Sequence, residues 1–248
     1  MITRLNLFRL SLIYPLYNYK LRLLMSFSNE WNDLYNKDLQ LTSWPWSDLV
    51  SLVYQHCNTV ISQDGVVFEL GCGNGPNIPF IESLNMSYYG VDGSESVIKK
   101  LHKKFPALKQ RIMVGDFTKK ECFLKLPKVD IVIDRASVTH NNQLSIMSVL
   151  KNSYDALKTG GYFVGIDWFS TKHSDFVLGE EGSDPHTRRY IECGQFENVG
   201  NVHFSDKKHL CELFSSFDII SLEEKIINAY KPKNNYQFSS WNIVAKKK

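Results

Sequence analysis

VVFELGCGNGPNIPF, which runs from Val66 to Phe80, is the stretch of sequence that decides the fold. Its apolar beginning, Val66–Leu70, predicts a buried strand. Three glycines then follow at alternate positions, namely Gly71, Gly73 and Gly75. Pro76 suits the first position of a helix, because the N–H that proline lacks would be unpaired there. A strand, a glycine-rich turn and a helix in this order predict that the backbone passes close to a ligand.

The spacing of these glycines, GxGxG, differs from the dinucleotide fingerprint GxGxxG. In a dinucleotide site, the helix N-terminus and the third glycine serve a pyrophosphate. Here Pro76 follows Gly75 directly, so the spacing favours a ligand without phosphates. A nicotinamide-dependent oxidoreductase would have a similar architecture and stays open as an alternative, as does a non-catalytic cofactor-binding protein.

Beyond Val66, short apolar runs alternate with helical patterns, which predicts βα units and a parallel sheet. The predicted strands are Val66–Leu70, Ser87–Val91, Arg111–Val114, Val129–Ile133 and Gly161–Ile166. Apolar residues at three- and four-residue steps predict one helix face, made by Leu144, Met147, Leu150, Tyr154 and Leu157. Gly160 and Gly161 are predicted to end that helix. Two further strands, Phe217–Ile227 and Phe238–Lys247, are joined without room for a helix and must pair antiparallel.

Composition limits the classes of function. The 248 residues include 29 basic and 26 acidic ones, for a net charge of +3, whereas nucleic-acid-binding domains are usually far more basic. The five cysteines are widely spaced and form no CxxC pair, which indicates a reducing compartment. We therefore expect a cytoplasmic protein that does not bind nucleic acid and holds no metal. The oligomeric state stays open.

The first 24 residues carry basic side chains and no acidic one. Their uncharged run, Leu10–Tyr19, contains Pro15 and is far shorter than the ~20 residues that span a membrane, so we expect no integral membrane association. Met25 opens a stretch of globular composition. We hypothesise that the natural protein starts at Met25, that residues 1–24 lie outside the core, and that residues 25–248 form a single domain.

Acidic residues stand at the ends of successive predicted strands, where doubly wound sheets bind their ligands. Asp92 lies about 20 residues beyond the glycines, where an acid accepts both hydroxyls of a ribose. Asp116 offers an acceptor for an exocyclic amine, and Phe117 offers a ring for the face of a base. With Asp134 after the fourth strand, these acids favour an adenosine-containing ligand.

The motifs ELGCGNG, GVDGS, VGDF, VDIVIDRASVTHN and LKTGGYFVGID resemble, in order, those of the class I S-adenosylmethionine-dependent methyltransferases. The resemblance covers about Phe68 to Trp168. It implies a Rossmann-like sheet of seven strands, doubly wound with helices on both faces, with one strand reversed by the C-terminal hairpin. It also implies S-adenosylmethionine as cofactor and S-adenosylhomocysteine as product. The implied cofactor contacts are Glu69, Gly71, Cys72, Gly73 and Gly75 for the methionine part, Asp92 for the ribose, Asp116 and Phe117 for the adenine, and the Asp134–Arg135 backbone for the methionine amine. Gly93 and Ser94 are further expected cofactor contacts.

A less specific similarity, carried by WPWSDLVSLV and GIDWFSTKHSDF, is to a bacterial subgroup that modifies small molecules or surface polysaccharides. In that subgroup, N-terminal helices cover the cofactor, which assigns this role to residues 25–62. The aromatic residues expected to cover it are Trp31, Tyr35, Trp44 and Trp46. The fourth strand ends in DRAS rather than in the motif of nucleic-acid amino methyltransferases, so DNA is not the expected target.

The acceptor should meet residues at the carboxyl edge of the sheet. His140 is the first candidate for a general base, because an unperturbed imidazole titrates near neutral pH. Asp167, after the fifth strand, could accept a proton or orient an acceptor hydroxyl. The long segment Trp168–Ser205 exceeds the usual connection length and predicts a substrate loop, with His173, His186 and Arg188 as substrate contacts. We expect a small-molecule or saccharide acceptor, with oxygen, nitrogen, sulfur and carbon all open as the methylated atom.

Overall fold

The computed structural model describes residues 42–232 and 235–248. The N-terminal extension, Trp31 and Tyr35 lie outside these residues. The strands are β1 Val66–Leu70, β2 Ser87–Asp92, β3 Ile112–Val114, β4 Val129–Arg135, β5 Leu157–Phe169, β6 Glu180–Glu181, β7 Thr187–Arg189, β8 Val202–His203, β9 Phe217–Asn228 and β10 Gln237–Lys247. The α-helices are α1 Ser47–His56, α2 Ile78–Ser83, α3 Glu95–Lys104, α4 Gln143–Ala156 and α5 Lys207–Leu213.

The main sheet has seven strands in the order β3-β2-β1-β4-β5-β10-β9. The first five of these strands run parallel to one another, and β10 lies antiparallel between β5 and β9. The predicted seven-stranded sheet with one reversed strand is therefore confirmed. Each of its strands overlaps a segment predicted from the apolar runs.

Helices cover both faces of this sheet, as predicted. Side chains of successive strand residues point to opposite faces, so Val67 and Phe68 belong to different cores. Val67 packs with residues of α1, α2 and α3. Phe68 packs with residues of α4 and α5 on the other face.

Helix α4 is present, but the predicted apolar face was only partly right. Leu144 is 74% exposed and Met147 is 50% exposed, whereas the helix residues in contact with the core are Ile146, Val149, Leu150 and Ser153. These four keep the three- and four-residue spacing, so the predicted period was right. The prediction was right at Leu150 and Leu157, which are 3% and 1% exposed, and wrong at Leu144 and Met147. The predicted end at Gly160 and Gly161 was also wrong: Leu157 pairs with Val129 of β4, and both glycines lie inside β5.

The segment Trp168–Ser205 is more ordered than its sequence suggested. Its first two residues continue β5, and β6, β7 and β8 form a small antiparallel sheet. A third apolar cluster, which includes Phe169, Phe196 and Phe204, holds this segment against the carboxyl end of the main sheet. No helix among the described residues is both long and apolar enough to cross a membrane.

Candidate active site

A cavity of about 340 Å³ opens at the carboxyl ends of β1, β2, β4 and β5, where doubly wound sheets bind ligands. Many of the residues singled out in the sequence meet here. Those that line the cavity are Glu69, Gly71, Cys72, Gly73, Asp92, Gly93, Asp116, Phe117, Arg135, His140 and Asp167. Trp46, from the aromatic stretch before α1, lines it as well.

Other predicted site residues do not line the cavity. Trp44 is 78% exposed, and Ser94 is buried as the cap of α3, where its hydroxyl accepts the Val97 N–H. Gly75 and Asp134 are not among the lining residues either. The three predicted substrate contacts also lie elsewhere, namely His173, His186 and Arg188.

Glycine is needed at the three loop positions for different structural reasons. All three have positive φ, at 64° for Gly71, 50° for Gly73 and 70° for Gly75. A Cβ at Gly71 would lie 2.1 Å from Ser137 Oγ, and a Cβ at Gly75 would lie 2.7 Å from both Ile78 Cδ1 and Leu101 Cδ2. Protein packing therefore requires glycine at Gly71 and Gly75. At Gly73, the requirement for glycine can instead come from the close approach of a ligand.

Asp92 links the loop to the end of β2. Its Oδ2 accepts the Gly73 N–H at 2.9 Å, and its Oδ1 accepts the Ser94 N–H at 2.8 Å. Burial raises the pKa of Asp92 to about 6, although both backbone bonds act in the opposite direction. Each carboxylate oxygen can accept more than one hydrogen bond, so Asp92 keeps acceptor capacity toward the cavity.

Glu69 forms the floor beneath the loop. Its carboxylate accepts hydrogen bonds from Asn77 Nδ2 at 2.7 Å and from the Tyr88 hydroxyl. Burial raises the pKa of Glu69 to about 7, and the neighbouring Asp134 and Asp92 raise it further. A cation bound in the cavity would offset this cost by stabilising the ionised form.

Asp116 and Phe117 line the same cavity beyond β3. Asp116 Oδ1 accepts both the backbone N–H and the hydroxyl of Thr118, which fixes the carboxylate in place. Phe117 is largely buried among the core residues. The pair therefore offers a fixed acceptor beside an aromatic ring.

The Asp134 side chain is a structural group of the core. It is fully buried, its Oδ2 accepts the Trp168 Nε1–H at 2.7 Å, and its Oδ1 accepts the N–H groups of Ser137 and Val138. These bonds hold the turn after β4. That turn includes Ala136, which lines the cavity with a φ of 56°, a strained value for a residue with a side chain.

A bulge in β5 directs Asp167 into the cavity. Gly165 pairs with Ile243 and Trp168 with Trp241, so two residues of β5 face the single Asn242 between them. Asp167, one of the two, has a φ of 56°. Bulges commonly redirect side chains next to active sites. The local alternation predicted from sequence does not reveal this extra residue.

Asp167 is held in place by two cationic side chains. Its Oδ2 lies 3.1 Å from Arg135 Nη2, and its Oδ1 lies 2.6 Å from Lys225 Nζ. Lys225 also pairs with Asp48 of α1 at 2.8 Å, and the Arg135 guanidinium lies 3.7 Å from the Trp46 ring centre. The network joins α1, β4, β5 and β9 around the cavity.

His140 lines the cavity from the short 3₁₀ turn Val138–His140 that precedes α4. Its ring packs edge-on against Phe169 and Phe196. Burial lowers the pKa of His140 to about 4, with Arg135 adding to the decrease and a backbone bond with Asn201 opposing it. The expectation that this imidazole titrates near neutral pH was wrong, because its environment is apolar.

The predicted substrate contacts have other partners. His173 is buried, and its Nδ1 accepts the Asp175 N–H. His186 stacks on His209 with ring centres 3.7 Å apart, and Arg188 Nε donates to the Phe176 carbonyl. Within residues 42–232 and 235–248, no cluster of three or more His, Cys, Asp or Glu side chains could hold a metal.

Sequence reasoning missed much of the opposite wall. Phe169, Gln195, Phe196, Val199 and Phe238 line the cavity and come from β5, the segment after β7, and β10. They belong to no local motif. The length of the segment Trp168–Ser205 was the available signal, and it marked the region without identifying the residues.

Comparison with known proteins agrees with this geometry. Residues 68–163 match a family model described as "Methyltransferase domain", a range that includes the glycine loop, Asp92, Asp116 and His140. This match supports the predicted resemblance to the class I S-adenosylmethionine-dependent methyltransferases. The match supports S-adenosylmethionine as the cofactor and disfavours the nicotinamide-dependent alternative.

Solved structures share the fold of this chain at low sequence identity. A SAM-dependent methyltransferase from Methanosarcina mazei is 19% identical, with a TM-score of 0.58, over 77% of this chain and 96% of its own. One from Anabaena variabilis is 16% identical, with a TM-score of 0.61, over 88% and 93%. One from Clostridium acetobutylicum is 16% identical, with a TM-score of 0.58, over 88% and 98%. No curated protein sequence is a significant match.

Proposed function

We propose that the cavity binds S-adenosylmethionine along the glycine loop and directs its methyl group to a small-molecule or saccharide acceptor. The observation that carries this proposal is the Asp92 carboxylate, which is fixed by the Gly73 and Ser94 amides and still faces the cavity. In this arrangement Asp92 binds the ribose hydroxyls, and Asp116 with Phe117 binds the adenine. Glu69, Gly71, Cys72, Gly73 and Gly93 border the rest of the cofactor, with the Asp134–Arg135 backbone near its amine.

The charges of the site suit this cofactor. The charged groups that line the cavity are mostly carboxylates: Glu69, Asp92, Asp116, Asp167 and Glu197, against Arg135. The negative potential favours a ligand with a positive sulfonium and ammonium group. When bound, S-adenosylmethionine supplies an electrophilic methyl group, so the protein chiefly has to position an acceptor and exclude water.

We assign acceptor contact to His140 and positioning to Asp167. His140 is neutral at physiological pH and lies in the cavity wall, so it can accept a hydrogen bond from an acceptor group. Asp167 forms ion pairs with Arg135 and Lys225, and through the first of these it orients Arg135. We also propose that the protein acts in the cytoplasm and that its target is not a nucleic acid. Residues 25–248 form a single domain in this proposal.

The test is to incubate the protein with methyl-labelled cofactor and a metabolite extract, and to identify which molecule gains the label. We expect labelling of a small molecule, lost in Asp92→Asn and retained in Gly160→Ala, whose site is remote from the cavity. Cofactor binding without labelling of any molecule would favour the non-catalytic alternative. Labelling of nucleic acid would refute the assigned acceptor class.

A further inference from the structure

The wall of the cavity opposite the glycine loop is aromatic. Phe169, Phe196 and Phe238 line it, and the Phe169 and Phe196 rings lie 4.3 Å apart. Val199 adds an aliphatic surface, and Trp46 closes the side next to Arg135. We call these residues the aromatic wall.

The charges of the Asp167 network beside the aromatic wall are balanced within the protein. Glu197, which also lines the cavity, is an exposed carboxylate whose Oε1 accepts a hydrogen bond from Asn198 Nδ2. Asp167 is paired with Arg135 and Lys225, and Lys225 is paired in turn with Asp48. The two cations and two carboxylates of this network cancel. The unbalanced carboxylates Glu69, Asp92 and Asp116 belong to the cofactor side. An ionic acceptor would thus find no uncompensated opposite charge in this network.

Two polar side chains near the aromatic wall, those of Asp167 and Asn141, are engaged by the protein. The hydroxyl of Ser240 and both cations occupy the Asp167 carboxylate, and Asn141 Nδ2 donates to the Val138 carbonyl. A sugar carries several hydroxyls, each of which loses water on binding and needs a new partner. An acceptor with one polar atom needs fewer new hydrogen-bond partners in this site.

The aromatic wall is anchored from behind. Asp175 is fully buried, and its Oδ2 accepts the Phe196 N–H at 2.9 Å. Gly194, with a φ of 98°, allows this approach, since a Cβ there would lie 2.4 Å from the Asp175 carboxylate. The Tyr236 hydroxyl accepts the Gln195 N–H at 3.2 Å. Such anchoring reduces the ordering cost that a bound ring would otherwise incur.

We propose that the aromatic wall selects an uncharged, flat aromatic acceptor with a single nucleophilic hydroxyl or thiol, held with that atom toward His140. This inference rests on the proposed function and narrows its acceptor class. Phenol and thiol protons, with pKa values of ~10 and ~8.5, are far more acidic than sugar hydroxyls. They therefore suit a site whose nearby histidine is a weak base.

Direct binding to the protein saturated with S-adenosylhomocysteine tests the inference. The probes are 2-naphthol, its anionic analogue 2-naphthoate, and methyl α-D-glucopyranoside, each titrated to millimolar concentration and followed by ligand-observed NMR and calorimetry. We expect 2-naphthol to bind at one site, about tenfold or more tighter than either other probe. Phe196→Leu and Phe238→Leu should each weaken 2-naphthol about tenfold, whereas Tyr230→Ala, a change at an exposed aromatic residue, should have no effect.

The outcomes separate this inference from the proposed function. S-adenosylhomocysteine binding is measured first, and its absence would refute the proposed function itself. If it binds, then a preference for the glucoside or for 2-naphthoate, or no binding of 2-naphthol, overturns the aromatic-acceptor inference alone. Equal binding of 2-naphthol by the wild type and both phenylalanine variants would overturn it too, because the ring would then bind elsewhere.

Discussion

Alanine substitutions at Gly73, Gly75 and Gly160 separate the ligand-dependent role of the glycine loop from its packing role. All three have positive φ, at 50°, 70° and 79°, where a side chain costs about 1–2 kcal/mol. At Gly160 the nearest atom to an added Cβ is Lys246 Cε at 3.7 Å, so strain should be the whole effect. At Gly75 the Cβ would meet Ile78 and Leu101 at 2.7 Å, which adds about 1–3 kcal/mol of overpacking.

We therefore expect Gly73→Ala and Gly160→Ala to lose about 1–2 kcal/mol of unfolding free energy, and Gly75→Ala about 2–5 kcal/mol. With about 2–4 °C of Tm per kcal/mol at this chain length, thermal melts resolve the two classes. Calorimetry with S-adenosylmethionine should show affinity reduced about tenfold or more, or ~1.4 kcal/mol, in Gly73→Ala and almost unchanged in Gly160→Ala. Wild-type affinity in Gly73→Ala, or equal losses in both variants, would refute the reasoning.

Three further predictions concern the buried polar groups. Because burial raises the pKa of Glu69 to about 7 and of Asp92 to about 6, a cationic cofactor must displace protons, so its affinity should increase from about pH 5.5 to 7.5. Calorimetry over this pH range should show that cofactor affinity depends less on pH in Glu69→Gln than in the wild type. The same pH dependence in both proteins would contradict the role given to Glu69. Trp168→Phe removes the 2.7 Å donor to Asp134 and should cost about 1–3 kcal/mol in urea denaturation; an unchanged midpoint would show that this bond contributes nothing. His140→Gln should keep cofactor affinity while slowing label transfer about 10²–10⁴-fold, and an equal loss of binding and turnover would mean that His140 serves the cofactor.

The fold was predictable because each strand of the main sheet is a local apolar run bounded by turn residues. The cofactor side was predictable for a related reason: Asp92 and Asp116 lie at strand ends, which a parallel sheet brings to one edge. Which side of the first turns of α4 is buried could not be predicted, because the exposed Leu144 and Met147 are as apolar as the buried Ile146 and Val149. Only the packing against β5 chooses between the two faces.

The acceptor side could not be predicted from local pattern. Phe196 and Phe238 are separated from the glycine loop by more than a hundred residues of chain and carry no motif. The bulge that turns Asp167 inward depends on its pairing with β10, and the Arg135–Asp167–Lys225 network depends on β9. The low pKa of His140 likewise follows from aromatic neighbours that tertiary structure brings together.

The central claim is that the cavity holds the sulfonium nucleoside, and a titration of the purified protein with S-adenosylmethionine tests it most directly. The account predicts one site per chain and, at a ligand concentration about 100 times Kd, a stabilisation of ~2.7 kcal/mol seen as a higher melting temperature. The same titration of Gly73→Ala should need more ligand for the same shift. A folded wild-type protein that shows neither heat nor a melting shift with this nucleoside or its demethylated product would contradict the account.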